Sequence, residues 1–528
     1  MIRDSGVVIA ATGNQKAHTY PETLKVQVRV ETCCGAVKVF NVENTHWWNA
    51  KEIRSGVSHR ILTCGAPTEA LIDGQMQNAK MKIASKKKNT NDDSSSSLIS
   101  HDIHSTVFPY FSRWQKSHGK VFIYWLGTEP FLYVAEPEFL KKMSSKVQGK
   151  RWGKPNVFKH DRKPMFGSGL VMVEGDDWVR HRHVITPAFS PPNMKAMASL
   201  MVEPATKMLR RWTTVINSGK PKIDVERDIT TMAGEIIARA SFGLSCENGS
   251  EVFQKLKAMQ ITLFNHNRYV GVPFSRWIFQ KKNMEAKKLG EEIDQVLLSI
   301  MEDVEKKKNK CLVGYLMEGE RLNGREVVDE CKTFFFGGHE TTALLLTWTL
   351  LLLAMHPHWQ NQLRDEITQV FGDGEIHFSK LAHLNKMGWV MKEVLRLYSP
   401  APNAQRQARE DIKVDGVIIP KGTNIWIDTV AMHHDPALWG DDVNEFRPER
   451  FKDDQVYGGC KHEVGFMPFG FGGRMCVGRN WTLMEYKVVL SLMLNSFSFS
   501  LSPTYRHSPS ILLSLRPTYG LPLIVQPL

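Results

Sequence analysis

The chain has 528 residues, 42% hydrophobic and 23% charged, a balance that supports a large packed core and excludes global disorder. The formal charge of +13 suits an acidic protein partner or an anionic membrane surface, while the lack of a dense Lys/Arg block with interleaved aromatics argues against nucleic acid. Eight cysteines without a repeated spacing argue against a disulfide framework or a zinc site, and for a reducing compartment.

Residues 1–100 differ in character from the rest. They show no signal-peptide core and no apolar run near the roughly 20 residues a membrane span needs. Lys86, Lys87 and Lys88 lead into a polar, low-complexity stretch at 89–97. The expectation is an atypical, poorly ordered N-terminal region without a readable membrane anchor, followed by one catalytic domain over 101–528.

From His101 onward the pattern is mostly α with small β-sheets. Apolar residues recur at helical spacing over 194–212, 229–242 and 284–308. Short β-like runs occur at 122–125, 133–135, 412–419 and 425–427, with a turn at Pro420-Lys421-Gly422. The stretch 333–355 is apolar except for His339 and Glu340. A membrane span would place Glu340 near its middle at about 3 kcal/mol, and Pro357 closes the run. A helix through the core of a large domain fits better.

The strongest chemical signal is the segment Phe469 to Gly478, Phe-Gly-Phe-Gly-Gly-Arg-Met-Cys-Val-Gly. Its glycines let the backbone turn tightly and come close to a flat ligand. Its amides, and the N-terminus of a helix expected over 479–494, favour an anionic sulfur at Cys476. A nucleotide-binding loop is excluded, because the third glycine is missing and no strand immediately precedes it. A buried cysteine in a glycine-rich loop is the bland alternative.

Further constellations occur in order. Gly337 and Gly338 would open a helix face beside a planar cofactor, and Glu340-Thr341 is an acid–alcohol pair able to relay protons, or a pair with only local helix hydrogen bonds. Glu393 and Arg396 share one helix face, as an ordinary surface pair also would. Trp178 and Arg182 stand four apart.

These residues together resemble the cytochrome P450 family. The segment at Cys476 matches the haem-binding signature Phe-x-x-Gly-x-Arg-x-Cys-x-Gly at every fixed position, and 337–342 resembles the oxygen-activation motif of the long central helix. Glu393-Val394-Leu395-Arg396 matches Glu-x-x-Arg, and the segment at 446–451 supplies its partner Arg450. The resemblance covers about 101–528, and looks like the plant microsomal branch that includes cytokinin hydroxylases and in-chain fatty-acid hydroxylases. The wording of 176–182 and 339–342 looks closest to the fatty-acid group.

The resemblance implies a P450 fold with haem b between the long central helix and the helix after the Cys loop. It implies Cys476 as the axial iron ligand and Phe469 packed near the sulfur. Arg474, Trp178, Arg182 and Arg406 would contact the haem propionates, with Gly338 beside the cofactor. Thr341 and Glu340 would manage protons, and Glu393, Arg396 and Arg450 would form a buried structural trio. It further implies NADPH electrons through a separate flavoprotein reductase, insertion of one oxygen atom from dioxygen into an apolar small molecule, and the cytosolic face of the endoplasmic reticulum membrane. Relatives carry an anchor and a proline-rich hinge that residues 1–100 do not show, though Trp47-Trp48 resembles the segment after the anchor. A membrane surface is an expected partner, and 269–279 is a candidate contact. A haem-thiolate peroxide isomerase is the alternative enzyme, disfavoured by Thr341. A non-functional haem-binding product with a defective N-terminus is the non-enzymatic alternative. By position, 147–168, 253–279, 333–341, 400–404 and 518–521 are expected around a fatty-acid, cytokinin or terpenoid-like substrate.

Overall fold

The computed structural model describes residues 9–10, 25–31, 37–43, 62–63, 99–126, 129–145, 149–243, 249–264, 280–307, 311–318, 321–372 and 374–528. The expected membrane-contact segment 269–279 and most of 1–98 lie outside them. Within 1–98, Lys25–Glu31 and Val37–Glu43 form an antiparallel hairpin, with Val28 opposite Phe40. Its alternation of Val26, Val28 and Val30 with polar residues is a strand signal that the sequence reading passed over.

Helices dominate the described residues, as expected. The longest, Gly324–Met355, begins nine residues before the expected 333, and its start has a local cause. Asn323 accepts from the Glu326 backbone N–H at 3.0 Å, and the Glu326 carboxylate accepts from the Asn323 N–H at 2.9 Å, a reciprocal capping box. Its second half, from Thr342 to Ala354, is buried on every side. That explains the uninterrupted apolar run, since each buried Leu contributes about 1.5–3 kcal/mol. Trp348 of this helix stacks on Tyr398 with ring centroids 4.4 Å apart. No helix among the described residues is long and apolar enough to cross a membrane.

Expected helices change their limits, and 284–308 begins earlier, as Gln280–Lys307. The run 194–212 is broken into Pro191–Met197, a tight turn at Ala198–Met201, and Val202–Asn217. Pro204, in the first turn of the last piece, is tolerated only at such a start. The run 229–242 lies within Val225–Phe242, which makes more contacts with the central helix than any other element.

The largest sheet has six strands in the order Leu62–Thr63, Val121–Leu126, Glu129–Val134, Asn424–Asp428, Asn403–Ala408, Trp152–Gly153. Its central pair is parallel, Phe131 opposite Asn424, and the next is antiparallel, Arg406 opposite Ile425. The expected strand 412–419 is a hairpin of Ile412–Val414 and Val417–Ile419. Asp415 and Gly416 turn it, both at positive φ, the Asp-Gly signature of a two-residue turn. This sheet carries Arg406 and Asn403 toward the interior, and the helix Arg479–Ser496 packs against the central helix behind the Cys loop.

Candidate active site

The loop Phe469–Gly478 is built by its glycines. Gly470 and Gly472 have φ of +73° and +67°, conformations that side-chain-bearing residues rarely adopt. These turns fold the chain back, so that the Cys476 N–H donates to the Phe469 carbonyl at 2.9 Å. Gly473 lies against the Gly149 backbone, where a Cβ would sit 3.4 Å from its Cα. Gly478 then caps Arg479–Ser496.

Cys476 opens onto a cavity of about 350 Å³ enclosed between this loop, the central helix and the sheet. Its opposite wall includes Phe334, Gly337, Gly338, Thr341 and Leu345. Gly337 and Gly338 divide their work. A Cβ at Gly338 would meet Ile237 Cδ1 at 2.8 Å, so this glycine lets the helix Val225–Phe242 approach. A Cβ at Gly337 would meet nothing within 4 Å. Of the two glycines expected beside a planar cofactor, Gly337 is thus the one that leaves the wall open.

Four basic side chains line the cavity, Lys154, Arg182, Arg406 and Arg474, and no carboxylate does among the described residues. Burial alone pushes Arg406 down to about 10. Burial, then the charge of Arg406, pushes Arg474 down to about 9, with Glu174 opposing. Lys154 is driven well below the usual lysine range by burial, then by Arg406, Arg162 and Arg474. Burial lowers Arg182, opposed by Cys476. The nearby Glu174 is engaged elsewhere, by Arg409 at 2.7 Å and Lys159 at 2.5 Å. Desolvated cations without counter-charge are costly, and a bound dianion would relieve that cost.

Hydrogen bonding separates the expected anion contacts. Arg474 donates to the carbonyls of Gly149 (3.0 Å), Val173 (3.0 Å) and Trp152 (2.8 Å), and stacks over the Trp178 ring at 4.4 Å. Arg182 donates to the Met475 carbonyl at 3.0 Å, and Arg406 to the Gln405 carbonyl at 2.9 Å. Trp178 and Arg182 share the helix Gly175–Ile185, which the buried His181–Glu330 pair (2.6 Å) fastens to the central helix.

Burial raises the Cys476 thiol, outweighing the Gly478 N–H and Arg182, which both lower it. A coordinated metal cation deprotonates a thiol outright.

Thr341 lines the cavity, and its hydroxyl donates to the Gly337 carbonyl at 2.7 Å, leaving its lone pairs as acceptors. Glu340 is not in the cavity wall. It is buried behind it, with Oε1 accepting from Arg516 at 2.8 Å and from Gln260 at 3.1 Å.

The Glu393 trio is assembled and inaccessible. Arg396 makes two bonds of 2.8 Å to Glu393, and Arg450 Nε stands 3.4 Å from Glu393 Oε1. Arg450 is balanced in turn by Asp442 at 2.8 Å, so each charge has a partner.

Of the expected substrate segments, 333–341 and 400–404 supply wall residues, and 147–168 supplies Trp152, Gly153 and Lys154. Leu170, Val171 and Phe189 also line the cavity, whereas 518–521 does not. Lys154, Leu170 and Phe189 carry no motif. They reach the site through folding contacts with distant segments.

Among the described residues no group of three or more His, Cys, Asp or Glu forms a multi-ligand metal site. One cysteine facing a flat, largely apolar cavity with four basic groups at its edge fits a metal carried in a planar organic ring that bears anionic substituents. Fold and cavity together define the haem-thiolate class.

The chain belongs to the cytochrome P450 family, whose model matches residues 97–521. It is 39% identical to a cytokinin hydroxylase of Arabidopsis thaliana over 449 residues, 82% of this chain and 86% of that protein. It is 33% identical to cytochrome P450 734A1 of Arabidopsis thaliana over 494 residues, 90% of this chain and 92% of the relative. It is 32% identical to the 11-oxo-beta-amyrin 30-oxidase of Glycyrrhiza uralensis over 536 residues, 97% of this chain and 100% of the relative. The chain is a plant-type haem-dependent monooxygenase that takes electrons from a redox partner.

Proposed function

We propose that this protein hydroxylates an unactivated C–H bond of an apolar small molecule with a terpenoid or isoprenoid skeleton. The observation that carries the reading is Cys476 facing Gly337 and Thr341 across a cavity whose charged wall residues, among those described, are all cationic. The apolar wall of Leu170, Val171, Phe334 and Leu345 supports such a ligand, and so do similarities to a cytokinin hydroxylase and a triterpenoid oxidase. A fatty acid is the second reading, favoured by the wording of 176–182.

In this reading Cys476 would hold the iron of haem b through its sulfur, and Phe469 would pack beside that sulfur. Arg182, Arg406, Arg474 and Lys154 hold the propionates, with Trp178 bracing Arg474. Gly337 and Gly338 keep the distal wall thin. When bound, the haem supplies the activation of dioxygen, one atom entering the substrate and the other leaving as water. Thr341 accepts and passes a proton at its hydroxyl oxygen, with Glu340 behind it as the acid. Glu393, Arg396 and Arg450 have a structural role. NADPH supplies two electrons through a separate flavoprotein reductase, for which the basic surface is a complementary partner. We assign the catalytic domain to 101–528 and the working location to the cytosolic face of the endoplasmic reticulum membrane.

The test is turnover by haem-loaded protein with a plant flavoprotein reductase and NADPH, on a panel of isoprenoid cytokinins, triterpenoids and fatty acids. A hydroxylated cytokinin or triterpenoid supports the reading. Hydroxylation of fatty acids alone would replace it with the second one.

A further inference from the structure

The carboxylate of Glu340 is gripped from two directions by residues far from it in sequence. Arg516 lies on Ser514–Pro517, one arm of a hairpin whose other arm is Pro509–Leu512 and whose turn residue Leu513 has φ +69°. Its Nη2 donates to Glu340 Oε1 at 2.8 Å. Gln260, on the helix Gly249–Phe264, is 3% exposed. Its Nε2 donates to the same Oε1 at 3.1 Å and to the Leu512 carbonyl at 3.1 Å.

Three elements therefore meet at one oxygen: the central helix, the helix Gly249–Phe264 and the C-terminal hairpin. A fourth contributes charge, because Glu226 at the start of Val225–Phe242 lies 3.9 Å from Arg516. The other Glu340 oxygen lies 3.8 Å from His339 Nε2. The Glu340 side chain is 2% exposed, so these donors hold a carboxyl group that water does not reach. A buried carboxyl group with both donors on one oxygen has its orientation set by them, and removing either leaves a buried acceptor short of a donor.

We propose that Gln260 and Arg516 are positioning residues for the acid. They hold Glu340 behind Thr341, off the cavity, and transmit any displacement of the helix Gly249–Phe264 or of the hairpin to it. The inference rests on the monooxygenase reading, in which Glu340 is the proton source for Thr341. The acid then reports on whether two neighbouring elements are seated, and proton supply to the cavity is tied to their seating.

The test compares haem-loaded wild type with Gln260→Leu, Arg516→Met, Arg516→Lys and Glu340→Ala. Amide hydrogen exchange is read over 249–264 and 509–517, without turnover. Removing the Glu340 carboxylate is expected to speed exchange in both segments about tenfold, the scale set by losing a hydrogen bond to a charged group. With a turned-over substrate, Gln260→Leu and Arg516→Met should lower the fraction of reducing equivalents recovered in product about threefold or more. Substrate affinity should be unchanged, and Arg516→Lys should recover most of that fraction. Gln260→Leu removes no charge, so it serves where Arg516→Met fails to fold. Unchanged exchange in 249–264 on Glu340→Ala, or wild-type recovery in Gln260→Leu, overturns the inference. A wild type without a thiolate-type carbon monoxide spectrum overturns instead the reading beneath it.

Discussion

Arg396 and Glu393 pair through two hydrogen bonds of 2.8 Å each, with neither side chain accessible to solvent. Arg396 also donates to the carbonyls of His433 (3.1 Å), Val443 (2.6 Å) and Glu445 (3.1 Å), so one guanidinium gathers the chain that leads to the Cys loop. Arg396→Met leaves the buried Glu393 with Arg450 and the Arg447 backbone N–H as its partners and should cost about 3–5 kcal/mol. Urea unfolding of haem-loaded protein checks this. The double variant Glu393→Gln/Arg396→Met should be less destabilised than the two single effects added together.

Gly337 and Gly338 give opposite predictions from adjacent positions. Gly337→Ala gains helix propensity of about 1 kcal/mol and meets no atom, so the fold should be at least as stable. The methyl enters the cavity, so substrate binding, followed by the shift of the haem absorption band, should weaken. Gly338→Val drives into Ile237 and should destabilise by about 1–3 kcal/mol. Thermal unfolding of the two variants side by side separates the roles.

Removing a half-buried cation at the cavity edge should act oppositely on the two forms of the protein. Arg406→Leu relieves an uncompensated desolvated charge, so the apoprotein should unfold at a higher temperature. The haem-loaded form should lose its cofactor faster to a haem-scavenging globin, because a propionate partner is gone. Lys154→Met should show the same pair of signs.

Acid should destabilise the fold through its buried histidines. Burial, then neighbouring charges, holds His101 at about 4, His433 at about 3 and His434 at about 4, and burial holds His507 at about 4. Below the unfolded value of 6.5 the unfolded chain takes up protons that the folded chain refuses, so stability falls from about pH 6.5 toward about pH 4. His104 and His181 run the other way. Burial lowers each, but Asp428 and Glu330 respectively outweigh it and raise them, so their contribution is present below 6.5 and lost as pH rises through the folded value. Thermal midpoints between pH 4 and 7.5 should decline toward acid, less steeply in His101→Gln.

What could be read in the sequence was whatever is local. The Cys loop is legible because its turns need glycine at set positions, and Glu393 and Arg396 because three residues make one helical face. The acid–alcohol pair was read as two neighbours doing one job, yet the helix turns Thr341 to the cavity and Glu340 behind it. Lys154, Gln260 and Arg516 left no trace, since Gln260 meets Glu340 across 80 positions and Arg516 across 176. The break at Ala198–Met201 was hidden by an apolar pattern that continues through it. At Cys476 burial raises the thiol while the Gly478 N–H and Arg182 lower it, and a coordinated metal cation would deprotonate it outright.

The assignment of Cys476 as the iron ligand makes the reduced carbon monoxide difference spectrum the most direct measurement. Wild-type protein loaded with haem should show a Soret band far to the red of an imidazole-ligated haem, and Cys476→Ala should lose it while Arg396 and Glu393 still hold the fold. Persistence of the red-shifted band in Cys476→Ala, or its absence from folded, haem-loaded wild type, would contradict the account.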